Sequence, residues 1–206
     1  MGFPEKIIQP VKLIFATNNR HKLDEIRFAI GSEVDIISLS DAGIQKEIPE
    51  PYDTLKENAQ IKAETIHQLS GGVNCFSEDT GLEVDALGGE PGVHSARYAG
   101  EPVSFENNIR KLLRAMADTD NRRARFITII CLILDGRKYF FEGRCEGQIL
   151  RSAVGDAGFG YDPVFVPDGS QKSFAEMNPV EKNVFSHRRK AADLLTAFLK
   201  THIIQS

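Results

Sequence analysis

The sequence predicts an α/β fold in one domain, and three observations lead to this prediction. In the first half of the chain, short apolar runs typical of strands alternate with amphipathic stretches typical of helices. A β-branched run at residues 125–134 is followed by Asp135-Gly136 and by an alternating segment at residues 138–147, which together predict a β-hairpin. The length of 206 residues, 41% of them hydrophobic, suits one sizeable core and is short for two domains.

The first predicted strand, residues 11–16, runs into the polar turn Thr17-Asn18-Asn19-Arg20-His21-Lys22. An amphipathic helix follows and ends at Gly31. Backbone N–H groups at a helix start favour an anion such as phosphate, and Lys22 adds positive charge. The turn is not a Walker loop, because Gly-x-x-x-x-Gly-Lys is missing. On its own, the turn is explained more simply as a capped helix with a surface lysine.

A second strand is predicted at residues 34–39, and a proline-rich connection with no regular structure follows it. Glu50 stands in this connection and is a candidate metal ligand, although loop carboxylates are usually solvated. Thr54 and Glu57 form a capping-box pattern that predicts a helix to about Leu69.

Adjacent carboxylates occur in Cys75-Phe76-Ser77-Glu78-Asp79-Thr80-Gly81-Leu82-Glu83-Val84-Asp85, after an apolar lead-in. We expect a strand that ends at these acids, with Thr80-Gly81 as a turn, so that the carboxylates lie at a strand tip where α/β active sites are built. Two neighbouring carboxylates repel each other and need a divalent cation, a basic partner or solvent.

The glycine-rich residues 86–100 predict a tight, ordered loop and no domain boundary. Ser104 predicts the cap of a helix that runs to about Met116. Residues 121–125 are basic and are interpreted as a solvated connector.

Two later segments are candidates for ligand binding. In the first, Phe159, Gly160, Tyr161 and Asp162 combine aromatic rings with glycine and an acid, which suits either a stacked planar ligand or ordinary core packing. The second is a final helix, predicted to begin after the cap Asn178. The core side of this helix is predicted to consist of Val184, Ala191, Leu194, Leu195 and Phe198. The helix also carries a basic cluster of Lys182, His187, Arg188, Arg189 and Lys190. A cationic face is usually just solvated, but in an acidic protein such a cluster is also a place for an anion to dock.

Composition excludes several classes of protein. The net charge of −4 argues against general nucleic-acid binding, which usually needs a basic balance. Three widely spaced cysteines, with no Cys-x-x-Cys, indicate a reduced chain without a disulfide framework or zinc site. No apolar run reaches membrane-spanning length, and residues 1–10 lack a signal-peptide core and are predicted to be a frayed leader. We therefore expect a cytoplasmic protein.

A phosphate-suited turn, carboxylates suited to Mg²⁺ and a loop suited to a flat base together predict metal-assisted hydrolysis of a nucleotide. This reasoning leaves open which phosphorus is attacked and which base is preferred.

Six segments, in order, resemble the inosine triphosphate pyrophosphatase family, whose members remove deaminated purine nucleoside triphosphates. They span the chain from residue 11 to about residue 200 and read Phe15-Ala16-Thr17-Asn18-Asn19-Arg20-His21-Lys22, Glu57-Asn58-Ala59, Ser77-Glu78-Asp79-Thr80-Gly81-Leu82, Leu87-Gly88-Gly89-Glu90-Pro91-Gly92-Val93-His94-Ser95-Ala96-Arg97-Tyr98, Gly158-Phe159-Gly160-Tyr161-Asp162-Pro163 and Ser186-His187-Arg188.

The resemblance implies an elongated, two-lobed α/β fold with a central mixed sheet flanked by helices, an active-site cleft between the lobes, and a homodimer. Residues 11–206 would form the single catalytic domain. The resemblance also implies Mg²⁺-dependent cleavage of ITP, dITP, XTP or dXTP to the monophosphate and pyrophosphate, which keeps these nucleotides out of DNA and RNA.

Roles for single residues follow from the resemblance by position. Asp79 would accept the proton of the attacking water and, with Glu50, bind Mg²⁺, while Glu78 is a further possible ligand. The substrate would be bound by Thr17, Asn19, Lys22, Thr80, Phe159, Gly160, Tyr161, Asp162, Lys182, His187 and Arg188. Phe159 would stack on the base.

Arg188 offers a physical reason for the choice of base. Its guanidinium only donates hydrogen bonds, so it suits the 6-oxo group of hypoxanthine or xanthine and mismatches the 6-amino group of adenine. Guanine also carries a 6-oxo group, and the sequence does not identify the residue that excludes it.

The departures from the family pattern are small. Glu78 and Thr80 stand where many members have Asp and Ser, and Glu50 is assigned by counting back from Glu57-Asn58-Ala59 across a variable loop. One alternative is a Maf-like pyrophosphatase that acts on modified pyrimidine nucleotides, and another is a nucleotide-binding protein without catalysis. A phosphotransfer enzyme with an aspartyl intermediate would need an Asp-x-Asp-x-Thr arrangement, which this chain lacks.

Overall fold

A mixed β-sheet of seven strands, with helices packed against it, forms the centre of the molecule. The computed structural model describes residues 11–46 and 48–203, except for the side chains of Glu33 and Ile203. The predicted leader at residues 1–10 lies outside the described residues. In chain order the strands are β1 (Val11–Phe15), β2 (Val34–Ile37), β3 (Cys75–Val84), β4 (Pro91–Gly92), β5 (Arg123–Leu134), β6 (Arg137–Ile149) and β7 (Phe165–Pro167). The longer helices are α1 (Arg20–Ile30), α2 (Leu55–Leu69), α3 (Phe105–Ala115), α4 (Pro179–Phe185) and α5 (His187–Ile203).

The order of the main strands across the sheet is β2-β1-β3-β5-β6-β7, and β4 pairs with β3. β1 runs parallel to both β2 and β3, whereas β3, β5, β6 and β7 are joined antiparallel. The predicted α/β class is therefore confirmed, with a parallel part near the start of the chain and an antiparallel part built on the hairpin.

Local chemistry sets the ends of several elements as predicted. The side chains of Thr54, Ser104 and Asn178 each accept a hydrogen bond from a backbone N–H in the first turn of the helix that follows. Asp135 and Gly136 have φ angles of 50° and 75°, which are typical of the tight turn in a two-residue hairpin. The flanking strands are slightly longer than predicted, because pairing extends to Arg123 and Gln148.

The acidic residues are inside β3, and the predicted strand tip with a Thr-Gly turn is wrong. Every position of β3 pairs with β5, including Glu78 with Ile130 and Asp79 with Ile129. Gly81 continues the strand because the carbonyl oxygen of Gly92 lies 2.6 Å from where a Cβ would stand, so only glycine lets β4 approach this closely.

The predicted single helix at the end of the chain is two helices, α4 and α5. Ser186 leaves the helical conformation with ψ of 125°, and its hydroxyl accepts a hydrogen bond from the N–H of Arg189, 3.2 Å away. This break changes the direction in which the side chains before and after it point. Val184 is therefore 70% exposed and Leu194 50% exposed, contrary to the prediction. Ala191 and Leu195 are buried as predicted.

Three hydrophobic clusters surround the polar residues in the middle of β3, where the predicted site residues Glu78, Asp79 and Thr80 lie. One cluster packs β1 and the start of β3 against α1 and α5, and a second packs α2 on the opposite face of the sheet. The third lies at the far end of β3 with α3 and β7. Phe76 belongs to the first cluster and Leu82 to the third, so the polar residues between them lie at the junction of two apolar regions. No helix in the described part of the chain is long and apolar enough to span a bilayer.

Candidate active site

A cavity of about 560 Å³ opens at this junction. Its wall contains all the residues predicted for the site, which come from six separate stretches of the chain: Thr17, Asn19, Lys22, Glu50, Glu78, Asp79, Thr80, Phe159, Gly160, Tyr161, Asp162, Lys182, His187 and Arg188. The structure therefore brings these residues together, while their individual roles stay predictions.

The turn before α1 is closed by its own side chains. The hydroxyl of Thr17 accepts a hydrogen bond from the N–H of Asn19 at 3.1 Å, and the amide oxygen of Asn19 accepts one from the N–H of Lys22 at 3.2 Å. The ammonium group of Lys22 lies 3.2 Å from Glu78. An ordered helix start with a nearby lysine suits an anionic ligand.

Lys62 is a member of the site that the sequence analysis missed. It lies on the buried face of α2, and its ammonium group donates to Glu50 at 2.5 Å and to Asp79 at 2.8 Å. Burial would lower the pKa of Lys62, but the charges of Asp79 and Glu50 and their hydrogen bonds outweigh burial and raise it. The signal in the sequence is that Lys62 lies three residues after the apolar Ala59 and four before Ile66, which places it on the same helix face as both.

Glu50 is held in place by the helix that follows it. The side chain of Asn58 accepts a hydrogen bond from the N–H of Tyr52 at 3.0 Å and donates one to the carbonyl of the same residue at 2.9 Å. This buried amide fixes the proline-rich connection against α2. Glu50 and Asp79 therefore meet at Lys62, although they are far apart in sequence.

The arrangement of Glu50 and Asp79 fits a divalent cation. Their oxygens converge on one positively charged group, the ammonium of Lys62, which stands in for an ion bound by oxygen ligands. Among the described residues, no group of three or more His, Cys, Asp or Glu could hold a metal. A metal here would therefore need further oxygens, and Mg²⁺ commonly takes these from water and substrate phosphates.

The two adjacent acids of β3 have different surroundings. Burial raises the pKa of Asp79, while Lys62 and Lys22 oppose this increase. Glu78 is also fully buried, but Arg188 and Lys22 hold its pKa at about 2. Because Arg188 donates to both Glu78 oxygens, at 2.8 and 2.9 Å, Glu78 is committed to this ion pair. The geometry favours Glu50 and Asp79 over Glu78 as metal ligands.

Glu25 on α1 is a second residue that the sequence analysis missed. Its carboxylate accepts a hydrogen bond from Lys182 at 2.7 Å and another from Arg188. Charge attraction to these two cations outweighs burial and lowers the pKa of Glu25. Glu25 follows Lys22 by three residues on the same helix face, which is the only local sign of its position.

The basic cluster of α4 and α5 is not a free cationic face. Lys182 donates to Asp162 at 2.7 Å as well as to Glu25, and Arg188 is paired with Glu78 and Glu25. The exposed residues are also engaged, since Arg189 pairs with Asp193 and Lys190 donates to the carbonyl of Arg144. Gly143 allows α5 to begin against β6, because a Cβ there would stand 2.0 Å from the carbonyl oxygen of His187.

The two aromatic residues of the glycine-rich loop have different environments. Tyr161 is buried, and its hydroxyl donates to the carbonyl of Ser95 at 2.9 Å. Phe159 is only partly buried and lines the cavity. The cationic groups of Lys182 and Arg188 lie 5.4 and 5.6 Å from the centre of the Phe159 ring. Core packing therefore explains Tyr161, while Phe159 presents a ring to the cavity.

His187 lies in the cavity wall with an unused hydrogen-bonding atom. Its ring stacks on Phe126 at a centroid distance of 4.6 Å, and Nδ1 is buried without a hydrogen-bond partner among the described residues. Burial, followed by the charges of Arg188 and Lys182, lowers the pKa of His187 well below its usual value. The neutral imidazole can form a hydrogen bond with a ligand in the cavity.

The fold and cavity define an α/β protein with a site suited to a phosphorylated ligand and a divalent metal. The Ham1 family model matches residues 13–198, and the chain belongs to this family. The chain is 53% identical over 189 residues to a dITP/XTP pyrophosphatase of Porphyromonas gingivalis, covering 91% of this chain and 97% of that protein. It is 47% identical to a dITP/XTP pyrophosphatase of Flavobacterium johnsoniae, covering 91% and 99%.

Solved structures agree with these relationships. The Ham1 protein of Staphylococcus aureus matches with a TM-score of 0.84 and 37% identity, covering 93% of this chain and 99% of that one. A HAM1 protein of Coxiella burnetii matches with the same TM-score and coverage at 34% identity. The family resemblance and the mixed α/β sheet predicted from the sequence are confirmed.

Proposed function

We propose that this protein is an Mg²⁺-dependent nucleoside triphosphate pyrophosphatase that hydrolyses deaminated purine nucleotides, namely ITP, dITP, XTP and dXTP, to the monophosphate and pyrophosphate. The names of its relatives support the substrate class. The observation that carries the proposal is the convergence of Glu50 and Asp79 on one cation, 2.5 and 2.8 Å away, in a cavity that also contains the turn at residues 17–22.

The chemistry follows from these groups. Bound Mg²⁺ would be held by Glu50 and Asp79 and would offset phosphate charge and lower the pKa of a nearby water. Asp79 accepts the proton of the attacking water as the new oxygen–phosphorus bond forms at the α-phosphorus. The bond from the α-phosphorus to the bridging oxygen breaks, and pyrophosphate leaves. Thr17, Asn19 and Lys22 bind the triphosphate, and Thr80 contacts the substrate.

The opposite part of the cavity binds the base. Phe159 supplies the stacking surface, and Gly160, Tyr161 and Asp162 form the loop that shapes the pocket. Lys182, His187 and Arg188 line the pocket. The unused Nδ1 of His187 and an N–H group of Arg188 that is not paired with Glu78 or Glu25 bind polar atoms at the edge of the base. Because most N–H groups of Arg188 already bind Glu78 and Glu25, its orientation toward the base is fixed.

Product analysis tests the proposal. Purified protein with Mg²⁺ is supplied with dITP, XTP, dATP, dGTP and a modified pyrimidine triphosphate, and monophosphate and pyrophosphate are quantified, with EDTA as the metal-free control. We expect pyrophosphate from dITP and XTP and little from dATP. Preference for the pyrimidine would favour a Maf-like activity, and binding without turnover would favour a non-catalytic nucleotide-binding protein.

The assembly and location are also proposals. The resemblance supports a homodimer. The net charge of −4, the three widely spaced cysteines and the lack of a membrane-spanning apolar run support a location in the cytoplasm with no nucleic-acid or membrane partner. Light scattering on a sizing column would give the mass in solution, and a mass near 23 kDa, the mass of one chain, would contradict the dimer.

A further inference from the structure

Arg97 stands in the cavity wall on a backbone that is firmly fixed. It ends the single helical turn Ser95–Arg97, which follows β4. The hydroxyl of Ser95 accepts a hydrogen bond from the N–H of Leu82 at 2.9 Å, and the buried side chain of Asn108 donates to the carbonyl of Ala96 at 2.9 Å. These contacts tie the turn to β3 and α3 and set where the Arg97 side chain begins.

The guanidinium of Arg97 is only loosely held. One nitrogen lies 3.6 Å from Glu50, which is beyond normal hydrogen-bond length, and another lies 2.8 Å from Glu101. The side chains of Arg97 and Glu101 are 48% and 63% exposed, and an exposed pair of this kind contributes little to stability. Arg97 can therefore exchange its partners for a stronger anion at small cost.

The other cations that line the cavity are more buried than Arg97, including Lys22, which is 19% exposed and lies 3.2 Å from Glu78. Lys62 joins Glu50 and Asp79, and Lys182 and Arg188 are each held by two carboxylates. A triphosphate brings several negative charges to this wall. Among the described cations that line the cavity, Arg97 combines an exposed side chain with contacts that are easily replaced.

We propose that Arg97 binds the leaving pyrophosphate and stabilises the charge that develops on it as its bond to the α-phosphorus breaks. This inference rests on the proposed function. Its guanidinium lies beside Glu50, the carboxylate assigned to the metal and phosphates, and its planar set of donors matches two phosphate oxygens at once. Charge stabilisation of this type acts on the transition state, which makes Arg97 a catalytic residue.

Calorimetric titration of each product separates this role from general binding. Arg97→Gln and wild type are titrated with pyrophosphate and, separately, with dIMP, both in Mg²⁺. We expect the variant to bind pyrophosphate about ten- to hundredfold more weakly, as for loss of a hydrogen bond to a charged group, and to bind dIMP within about twofold of wild type. Arg97→Lys keeps the positive charge but lacks the paired donors of the guanidinium. Its affinity for pyrophosphate should lie between those of wild type and Arg97→Gln.

Two matched variants serve as controls. Glu101→Gln removes the exposed partner of Arg97, and Arg110→Gln removes an exposed arginine that pairs with Glu106 on α3. Both should bind pyrophosphate like wild type.

Unchanged pyrophosphate affinity in Arg97→Gln would overturn the inference. The proposed function is tested separately from this inference, because product titration does not depend on turnover. The proposed function would fail if wild-type protein released no pyrophosphate from dITP.

Discussion

Lys62 and Asp79 form a buried ion pair, with 2.8 Å between the ammonium nitrogen and a carboxylate oxygen. The same ammonium also contacts Glu50, so Lys62 bridges the two carboxylates assigned to the metal. The two ion pairs hold Glu50 and Asp79 close to each other. They also imply that a metal must compete with a cation of the protein itself.

Replacement of Lys62 by Met should make the protein more dependent on Mg²⁺ for stability. Removing one partner of a buried ion pair costs about 3–5 kcal/mol, because the remaining charges are left buried and unpaired. We expect a lower melting temperature in EDTA and a larger stabilisation by Mg²⁺ than in wild type. Thermal unfolding with and without Mg²⁺ measures both effects.

Lys138→Met provides the control, since Lys138 pairs with Glu64 at the surface and should contribute little. If Mg²⁺ stabilised Lys62→Met no more than wild type, Lys62 would not occupy the position of the metal.

Asp79→Asn should abolish turnover, and the protein should still fold, although less stably than wild type, because Lys62 keeps its contact with Glu50. Loss of a general base lowers rates by about 10²–10⁴-fold, and the amide cannot accept the proton of water. Steady-state hydrolysis of dITP measures the loss, and circular dichroism checks the fold. Asp193→Asn, which removes an exposed partner of Arg189, should remain fully active. Activity of Asp79→Asn within a few-fold of wild type would remove Asp79 from the mechanism.

Glu78 and Arg188 should show strong energetic coupling in a double-mutant cycle. Either Glu78→Gln or Arg188→Met leaves a buried charged partner with fewer contacts, and each should destabilise the protein by about 3–5 kcal/mol. The double variant should be less destabilised than the sum of the two single changes. Urea unfolding gives the three free energies, and additive values would show that the pair is not a unit.

Stability should fall as the pH is lowered from 7.5, in part because of His187. The folded protein keeps this ring neutral, whereas the unfolded chain takes up a proton below about pH 6.5. Because the unfolded state then binds more protons, the free energy of unfolding decreases with falling pH, by at most about 1.4 kcal/mol per pH unit for one group. His187→Phe should have a shallower slope between pH 7.5 and 5.5 in urea titrations. An unchanged slope would show that His187 is protonated in the folded protein.

The sequence predicted those features that depend on neighbouring residues. The caps Thr54, Ser104 and Asn178 and the Asp135-Gly136 turn act within a few residues, so their chemistry is visible in the chain. The family motifs identified many residues of the cavity wall, among them Lys22, Asp79 and Arg188.

Features that depend on distant partners were missed. Glu78 lies inside a strand because Arg188, 110 positions away in the sequence, neutralises its charge. No local sequence pattern indicates that contact. Lys62 and Glu25 were overlooked for the same reason, since each completes its contacts with residues from other elements. The break at Ser186 is an exception, because the Ser186 hydroxyl caps the N–H of Arg189 only three residues away and this local signal was overlooked.

Hydrolysis of dITP in ¹⁸O-labelled water with Mg²⁺ tests the central claim most directly, because it shows which phosphorus the water attacks. Mass spectrometry of the products should find the label in dIMP and unlabelled pyrophosphate, as expected if Asp79 directs water to the α-phosphorus. Label in pyrophosphate, or release of orthophosphate, would contradict the account.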